Sequence, residues 1–115
     1  MKAYTDLEQS KKLVEILPIE SADMHYATWA ILDNEFIVSI NQGTTIERLQ
    51  EDYGNQIIPC WSLAALLNVL PSSTLDNSDN HRYRFRCTER YTEWYDNAID
   101  ACVAMIERLH ELKML

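Results

Sequence analysis

The chain has 115 residues, of which 47% are hydrophobic and 24% charged, a composition that predicts one ordinary globular domain over residues 1–115. Its 2 glycines and 3 prolines are too few for a glycine-rich phosphate loop or a flexible Gly/Ser linker. Because 18 acidic side chains face 10 basic ones, the net charge of −8 disfavours nucleic acids and anionic membrane surfaces as partners.

The sequence predicts a cytoplasmic protein. No run of 18 apolar residues is present, and the first residues lack the apolar stretch of a secretory signal. The cysteines, Cys60, Cys87 and Cys102, are odd in number and show no paired spacing. We therefore expect free thiols in a reducing compartment and no membrane partner.

A first helix is predicted to begin at a capping box formed by Thr5 and Glu8 and to end at Leu17, before Pro18. Lys11 and Lys12 are predicted to lie on its solvent-exposed face. Its apolar stripe contains Leu7, Leu13, Val14, Ile16 and Leu17.

Alternating apolar residues on both sides of Asp33-Asn34 predict a hairpin. A two-residue turn at that pair would place each apolar residue of the first strand opposite one of the second. The expected pairs are Ile31 with Phe36, Trp29 with Val38, and Ala27 with Ile40.

Two helices are predicted next. Thr44 and Glu47 form a second capping-box candidate before a short helix that ends ahead of Gly54. The segment from Cys60 to Leu70 lies between two prolines and is apolar on most sides, so it predicts a largely buried helix.

The segment from Ser72 to Asn80 is polar and predicts a loop. After it, Tyr83, Phe85 and Cys87 alternate with arginines, which predicts a half-buried strand. A turn at Glu89-Arg90 would then place Phe85 opposite Trp94 and Arg86 opposite Glu93.

A last helix is predicted from an N-cap at Asp96 or Asn97, with an apolar stripe over about four turns. Its stripe contains Ala98, Ala101, Cys102, Met105, Ile106, Leu109 and Leu112. Hairpins separated by helices indicate the α+β class, as an antiparallel sheet of two hairpins covered by three to four helices.

The most specific chemical feature is a group of arginines in an acidic protein. Strand periodicity places Arg82, Arg84 and Arg86 on one face, with Arg90 nearby, so these four form a candidate anion-binding or partner-binding face. The alternative is a solvated sheet face neutralised by neighbouring carboxylates.

No catalytic residue and no metal or other cofactor is assigned from the sequence, because no metal-ligand spacing occurs among the cysteines and histidines. The cysteines are expected to be buried and inert. Trp29 and Trp94 fall on the predicted core faces, which favours core packing over a stacking platform.

Three blocks carry a resemblance to a known group of proteins. Residues 5–18 with Ser21-Ala22-Asp23-Met24, residues 58–67, and residues 100–112 resemble short uncharacterised proteins of bacteriophages and integrated mobile elements of gut bacteria. The likeness covers most of the chain, but its motifs are helix and core segments. It implies a genomic setting and carries no activity over to particular residues.

These observations together favour a non-enzymatic accessory protein that binds another protein. A homodimer is a second way of covering the apolar helices. The alternative function is a small enzyme or ligand-binding domain with a pocket between helices and sheet.

Overall fold

Four helices and six strands occur in the part of the chain that the structure, a computed structural model, describes: residues 2–28, 36–41, 46–53, 57–70, 74–78, 82–87 and 90–115. Their order mixes helices with antiparallel strands, and the predicted α+β class is confirmed. In chain order they are α1 Leu7–Leu13, β1 Met24–Thr28, β2 Phe36–Ile40, α2 Ile46–Tyr53, β3 Ile57–Cys60, α3 Leu63–Val69, β4 Thr74–Asn77, β5 Tyr83–Cys87, β6 Arg90–Tyr91 and α4 Ala98–Glu111.

Helix α1 is capped one residue later than predicted. The Asp6 carboxylate accepts a hydrogen bond from the Gln9 backbone, and the Gln9 side chain accepts one from the Asp6 backbone. Thr5 does not cap the helix because its hydroxyl is fully buried against Ser10 and Trp61. The helix ends at Leu13 and the chain continues in turns, so the predicted end at Leu17 was wrong.

The first sheet has the strand order β2-β1-β3 and is antiparallel throughout. Ala27 pairs with Ile37 and Met24 pairs with Ile40, so the predicted pairing of Ala27 with Ile40 was wrong. The observed register is shifted by three residues, because β1 begins at Met24 and this residue takes the place predicted for Ala27. The predicted turn at Asp33-Asn34 and the side chain of Trp29 lie outside the described residues.

Strand β3 ends at Cys60, the first residue of the segment for which a buried helix was predicted. Pro59 lies within this strand, at an edge of the sheet, where its missing N–H costs no ladder hydrogen bond. Helix α3 begins only after Ser62, whose side chain accepts from the Ala65 backbone. Leu66 is fully buried but Leu67 is 41% exposed, so one face of α3 is exposed to solvent.

The second sheet has the order β4-β5-β6. Strand β4 lies within the segment predicted to be a loop. The predicted pairs of Phe85 with Trp94 and of Arg86 with Glu93 were wrong, because Arg86 pairs with Tyr91 and Phe85 contacts Thr92. The Thr92 backbone donates to the Phe85 carbonyl, and the Phe85 backbone donates to the Thr92 hydroxyl. The strands thus lie in two sheets of three rather than in one sheet of two hairpins.

Helix α4 lies at the centre of the core. Asn97, one of the two predicted N-caps, accepts a hydrogen bond from the Asp100 backbone, and α4 contacts both β5 and α3. The predicted stripe is buried from Ala101 to Leu109, whereas Leu112 is 46% exposed. Phe85 from β5 and Trp61 are also fully buried. None of the helices among the described residues is long and apolar enough to cross a bilayer.

Candidate functional site

The candidate site is the outer face of the second sheet, opposite the face that packs on α4. Phe85 is fully buried on the inner face, so the alternation of β5 places Arg84 and Arg86 on the outer face. Arg82 precedes the strand in the same phase and is exposed. The structure therefore brings three of the four predicted arginines together along one line.

Arg84 is the centre of this face. Its guanidinium carbon lies 4.5 Å from the ring centroid of Tyr91 and 4.6 Å from that of Trp94. Both distances are typical of cation–π contacts. Its Nη2 donates to the Asp76 carboxylate on β4 at 3.1 Å, and both side chains are about two-thirds buried or more. The stack and the ion pair together fix the position of the guanidinium.

The two flanking arginines are held more loosely. Arg82 donates to the backbone carbonyl of Trp94 at 2.9 Å, and its Nε lies 3.6 Å from the carboxylate of Asp96, which is 93% exposed. Within the described residues, Arg86 makes no ion pair. Both cations can therefore reorient toward an anionic partner.

Arg90, the fourth predicted arginine, occupies a different register. Its backbone pairs with Cys87, one position out of phase with Arg84 and Arg86. Its side chain is outside the described part of the structure. We therefore define the arginine–aromatic row as Arg82, Trp94, Arg84, Tyr91 and Arg86, and we do not include Arg90.

The sequence interpretation missed three partners of Arg84. Asp76 was assigned to a polar loop, Tyr91 was given no role, and Trp94 was placed on the core face. The observed register instead brings Trp94 to the outer face beside Arg84. The sequence did not predict that β4 pairs with β5. The alternation of residues in β5 shows which side chains share a face, but it does not show what those side chains contact.

Cys60, the last residue of β3, lies in a buried polar cluster. It is fully buried between Thr5 and its neighbours, and its Sγ donates to the Thr5 carbonyl at 3.5 Å. Burial raises the pKa of the Cys60 thiol, and burial raises the pKa of Cys102 to about 12. Both cysteines are buried as predicted, and the nearest described polar partners of Cys60 are hydroxyl and carbonyl groups, which do not activate a thiol.

A charged cluster ties the N-terminal segment to the start of α4. Lys2 donates to Asp6 and to Asp100, at 2.9 Å each, and the Gln9 amide donates to Asp100 at 2.8 Å. Burial alone would raise the pKa of Asp100, but hydrogen bonds from Lys2, Gln9 and Asn97 outweigh it and leave that pKa below its ordinary value. The side chains in this cluster thus satisfy one another.

Shallow grooves run along the exposed side of α4, where Glu107 lines several of them. They are open to solvent and bounded mostly by charged side chains. Among the described residues, no group of three or more His, Cys, Asp or Glu side chains could hold a metal ion. The arginine–aromatic row is consequently the most organised chemical feature of the described surface.

Comparisons with protein-family models, with curated proteins and with solved structures give no match.

Proposed function

We propose that the chain is a non-enzymatic accessory protein of bacteriophage or mobile-element type, and that it binds a protein partner through the arginine–aromatic row. The observation that carries the proposal is the stacking of Arg84 with Tyr91 and Trp94 on the outer face of the second sheet. Arginine, tyrosine and tryptophan are the residue types most enriched among those that dominate protein–protein binding energy.

The stacked geometry favours binding because it limits the entropy lost on association. Ordering a long, flexible side chain at an interface costs roughly 0.5–1.5 kcal/mol. Arg84 is already held by two rings and by Asp76 in the free protein. A partner that docks on this row would therefore meet a surface of fixed shape.

The row also offers apolar area beside charge. Tyr91 and Trp94 both have large rings. Tyr91 is 45% exposed, and Trp94 is partly buried. An exposed ring and a partly buried ring, flanked by cations, combine the desolvation gain of an interface core with polar groups at its rim. The bacterial setting of the proposed partner comes from the resemblance alone.

The test is a photo-crosslink from the row inside bacterial cells. A photoreactive phenylalanine analogue replaces Tyr91, and the matched control carries it at Leu67, which is similarly exposed on α3. We expect a discrete protein adduct from position 91 that is absent from position 67 and is lost in an Arg82→Ala, Arg86→Ala background.

Equal adducts from both positions, or none from position 91, would contradict the proposal. An adduct of twice the mass of the chain would instead assign the row to a second copy of the protein, as in the homodimer that the sequence suggests. Mass spectrometry of the adduct separates these outcomes.

A further inference from the structure

We propose that the segment bound by the arginine–aromatic row is an extended acidic peptide, with carboxylates at positions i and i+4 and an apolar residue at i+2. This inference rests on the proposed function and specifies its partner. It follows from the order of groups along the row, which has a cation at each end and aromatic rings around a neutralised centre.

The two ends of the row suit carboxylates. The Arg82 side chain is 51% exposed. Its Nη2 donates to the Trp94 carbonyl at 2.9 Å, and its Nε lies 3.6 Å from the exposed carboxylate of Asp96. Arg86 has no ion pair within the described part of the chain. Guanidinium groups bind carboxylates through two parallel hydrogen bonds, so each end can take one acidic side chain.

The centre of the row suits an apolar side chain. The charge of Arg84 is already balanced by Asp76 at 3.1 Å, and its guanidinium contacts both rings. A third carboxylate at this point would compete with Asp76, whereas an aliphatic side chain gains contact with the exposed ring of Tyr91.

The spacing of the row matches an extended peptide. Arg82 and Arg86 are four residues apart along β5 and the residue before it, which corresponds to about 13 Å at the rise of a strand. An extended ligand has the same rise, and its residues i, i+2 and i+4 project from one side. Its carboxylates at i and i+4 therefore reach both arginines while residue i+2 faces the rings.

The overall charge favours a short acidic peptide over a nucleic acid. The protein carries a net charge of −8, and a nucleic acid brings a phosphate with every nucleotide, whereas this peptide needs two carboxylates. At physiological ionic strength charges beyond about 8 Å are screened. For a small ligand, the three arginines of the row, with Asp76 and Asp96 beside them, therefore count more than the carboxylates elsewhere on the protein.

The test uses fluorescence anisotropy with the full chain and two labelled peptides of identical composition. One has glutamates at i and i+4 around a leucine at i+2, and the other has its glutamates at i and i+3, which projects them to opposite sides of an extended chain. We expect the first peptide to bind about tenfold more tightly, because the second peptide loses one of the two contacts between a glutamate and an arginine.

Three variants locate the binding. Arg82→Ala and Arg86→Ala should each weaken binding of the first peptide about tenfold. Arg108→Ala removes the same charge from the exposed side of α4 and should leave the affinity unchanged. Thermal unfolding followed by circular dichroism confirms that each variant is folded.

Equal affinity for the two peptides, or equal loss in all three variants, would overturn the inference. If neither peptide binds while Tyr91 still yields its specific crosslink, the acidic ligand is wrong and the proposed protein-binding function stands. Tighter binding of a single-stranded oligonucleotide than of either peptide would overturn the choice of a peptide, and loss of the crosslink as well would overturn both proposals.

Discussion

The side-chain oxygens of Thr5 and Ser10 lie 2.8 Å apart, and both residues are fully buried. The Thr5 hydroxyl also accepts a hydrogen bond from the Trp61 backbone at 3.1 Å, and the Thr5 backbone donates to the Trp61 carbonyl. One small side chain thus joins the N-terminal segment to α1 and to the residue that follows β3. Buried polar groups are stabilising only while all of them are satisfied.

Replacement of Thr5 by valine should destabilise the protein by about 1–3 kcal/mol, because it leaves the Trp61 N–H without its acceptor at constant side-chain shape. The free energy of unfolding in urea measures this loss. Thr5→Ser, which keeps the hydroxyl, is the control and should cost less than Thr5→Val. A loss in Thr5→Ser that equals or exceeds the loss in Thr5→Val would contradict the prediction, because the methyl group would then contribute at least as much as the hydrogen bond.

The buried thiols should be unreactive in the folded protein. Burial raises the pKa of Cys60 and raises that of Cys102 to about 12, so both remain protonated at the roughly pH 8 used for thiol labelling. In a Cys87→Ser variant, we expect a thiol-specific reagent to label neither cysteine in native buffer and both in denaturant. Rapid native labelling of either residue would contradict its burial.

Acid should weaken the fold through Asp100. Hydrogen bonds from Lys2, Gln9 and Asn97 overcome the effect of burial and lower the pKa of Asp100 in the folded state. A group with a lowered folded pKa contributes stability above its unfolded pKa of about 3.9, and this contribution is lost as pH falls through the folded pKa. Asp100→Asn should therefore be less stable than the parent at neutral pH.

The measurement for Asp100 is the urea midpoint as a function of pH. Below about pH 4 the curves of the parent and Asp100→Asn should converge, because the parent loses the contribution that the variant lacks. Glu51→Gln removes an exposed carboxylate from α2 and serves as the control, with a curve that follows the parent. Parallel curves for Asp100→Asn would exclude this role.

The elements that the sequence predicts correctly are those with a strong local signal. Helix α4 has a capping asparagine and a continuous apolar stripe, so its start and its buried side follow from the chain itself. The alternation of β5 likewise predicts its buried Phe85. Strand β4, whose sequence is Thr-Leu-Asp-Asn, has no such signal and forms because β5 offers it a partner.

The contacts of the candidate site were harder to predict than its face. The arginine alternation indicated one side of a strand, but the partner of Arg84 comes from β4 and its rings come from β6 and the following residues. Those contacts depend on strand register, which the hydrophobic pattern of this segment leaves open. The observed register differs from the predicted one by two residues at Arg86 and by one residue at the bridge between Tyr83 and Tyr95. The one-residue offset moves Trp94 from its predicted place opposite Phe85 to the face of Arg84.

Arg84 should contribute more to stability than either flanking arginine. Arg84 makes two cation–π contacts and an ion pair with Asp76, and the two side chains of that ion pair are 30% and 23% exposed. We therefore expect Arg84→Ala to lower the free energy of unfolding by about 1–3 kcal/mol. Arg82→Ala, at an exposed position, should cost no more than about 0.5 kcal/mol. The measurement is the free energy of unfolding in urea for each variant. Because both variants lose one positive charge, the difference between them reports the contacts of Arg84.

A double-mutant cycle separates the stacking of Arg84 on Trp94 from the other effects of the substitution. With Arg84→Ala, Trp94→Leu and the double variant, we expect a coupling free energy of about 0.5–1 kcal/mol, since the guanidinium carbon lies 4.6 Å from the ring centroid. The same cycle with Arg82→Ala should give less coupling, because Arg82 reaches Trp94 through its backbone carbonyl, which the leucine retains. If Arg82 coupled to the ring as strongly as Arg84, the rings would not be fixed by Arg84, and the shape of the proposed docking surface would have another origin.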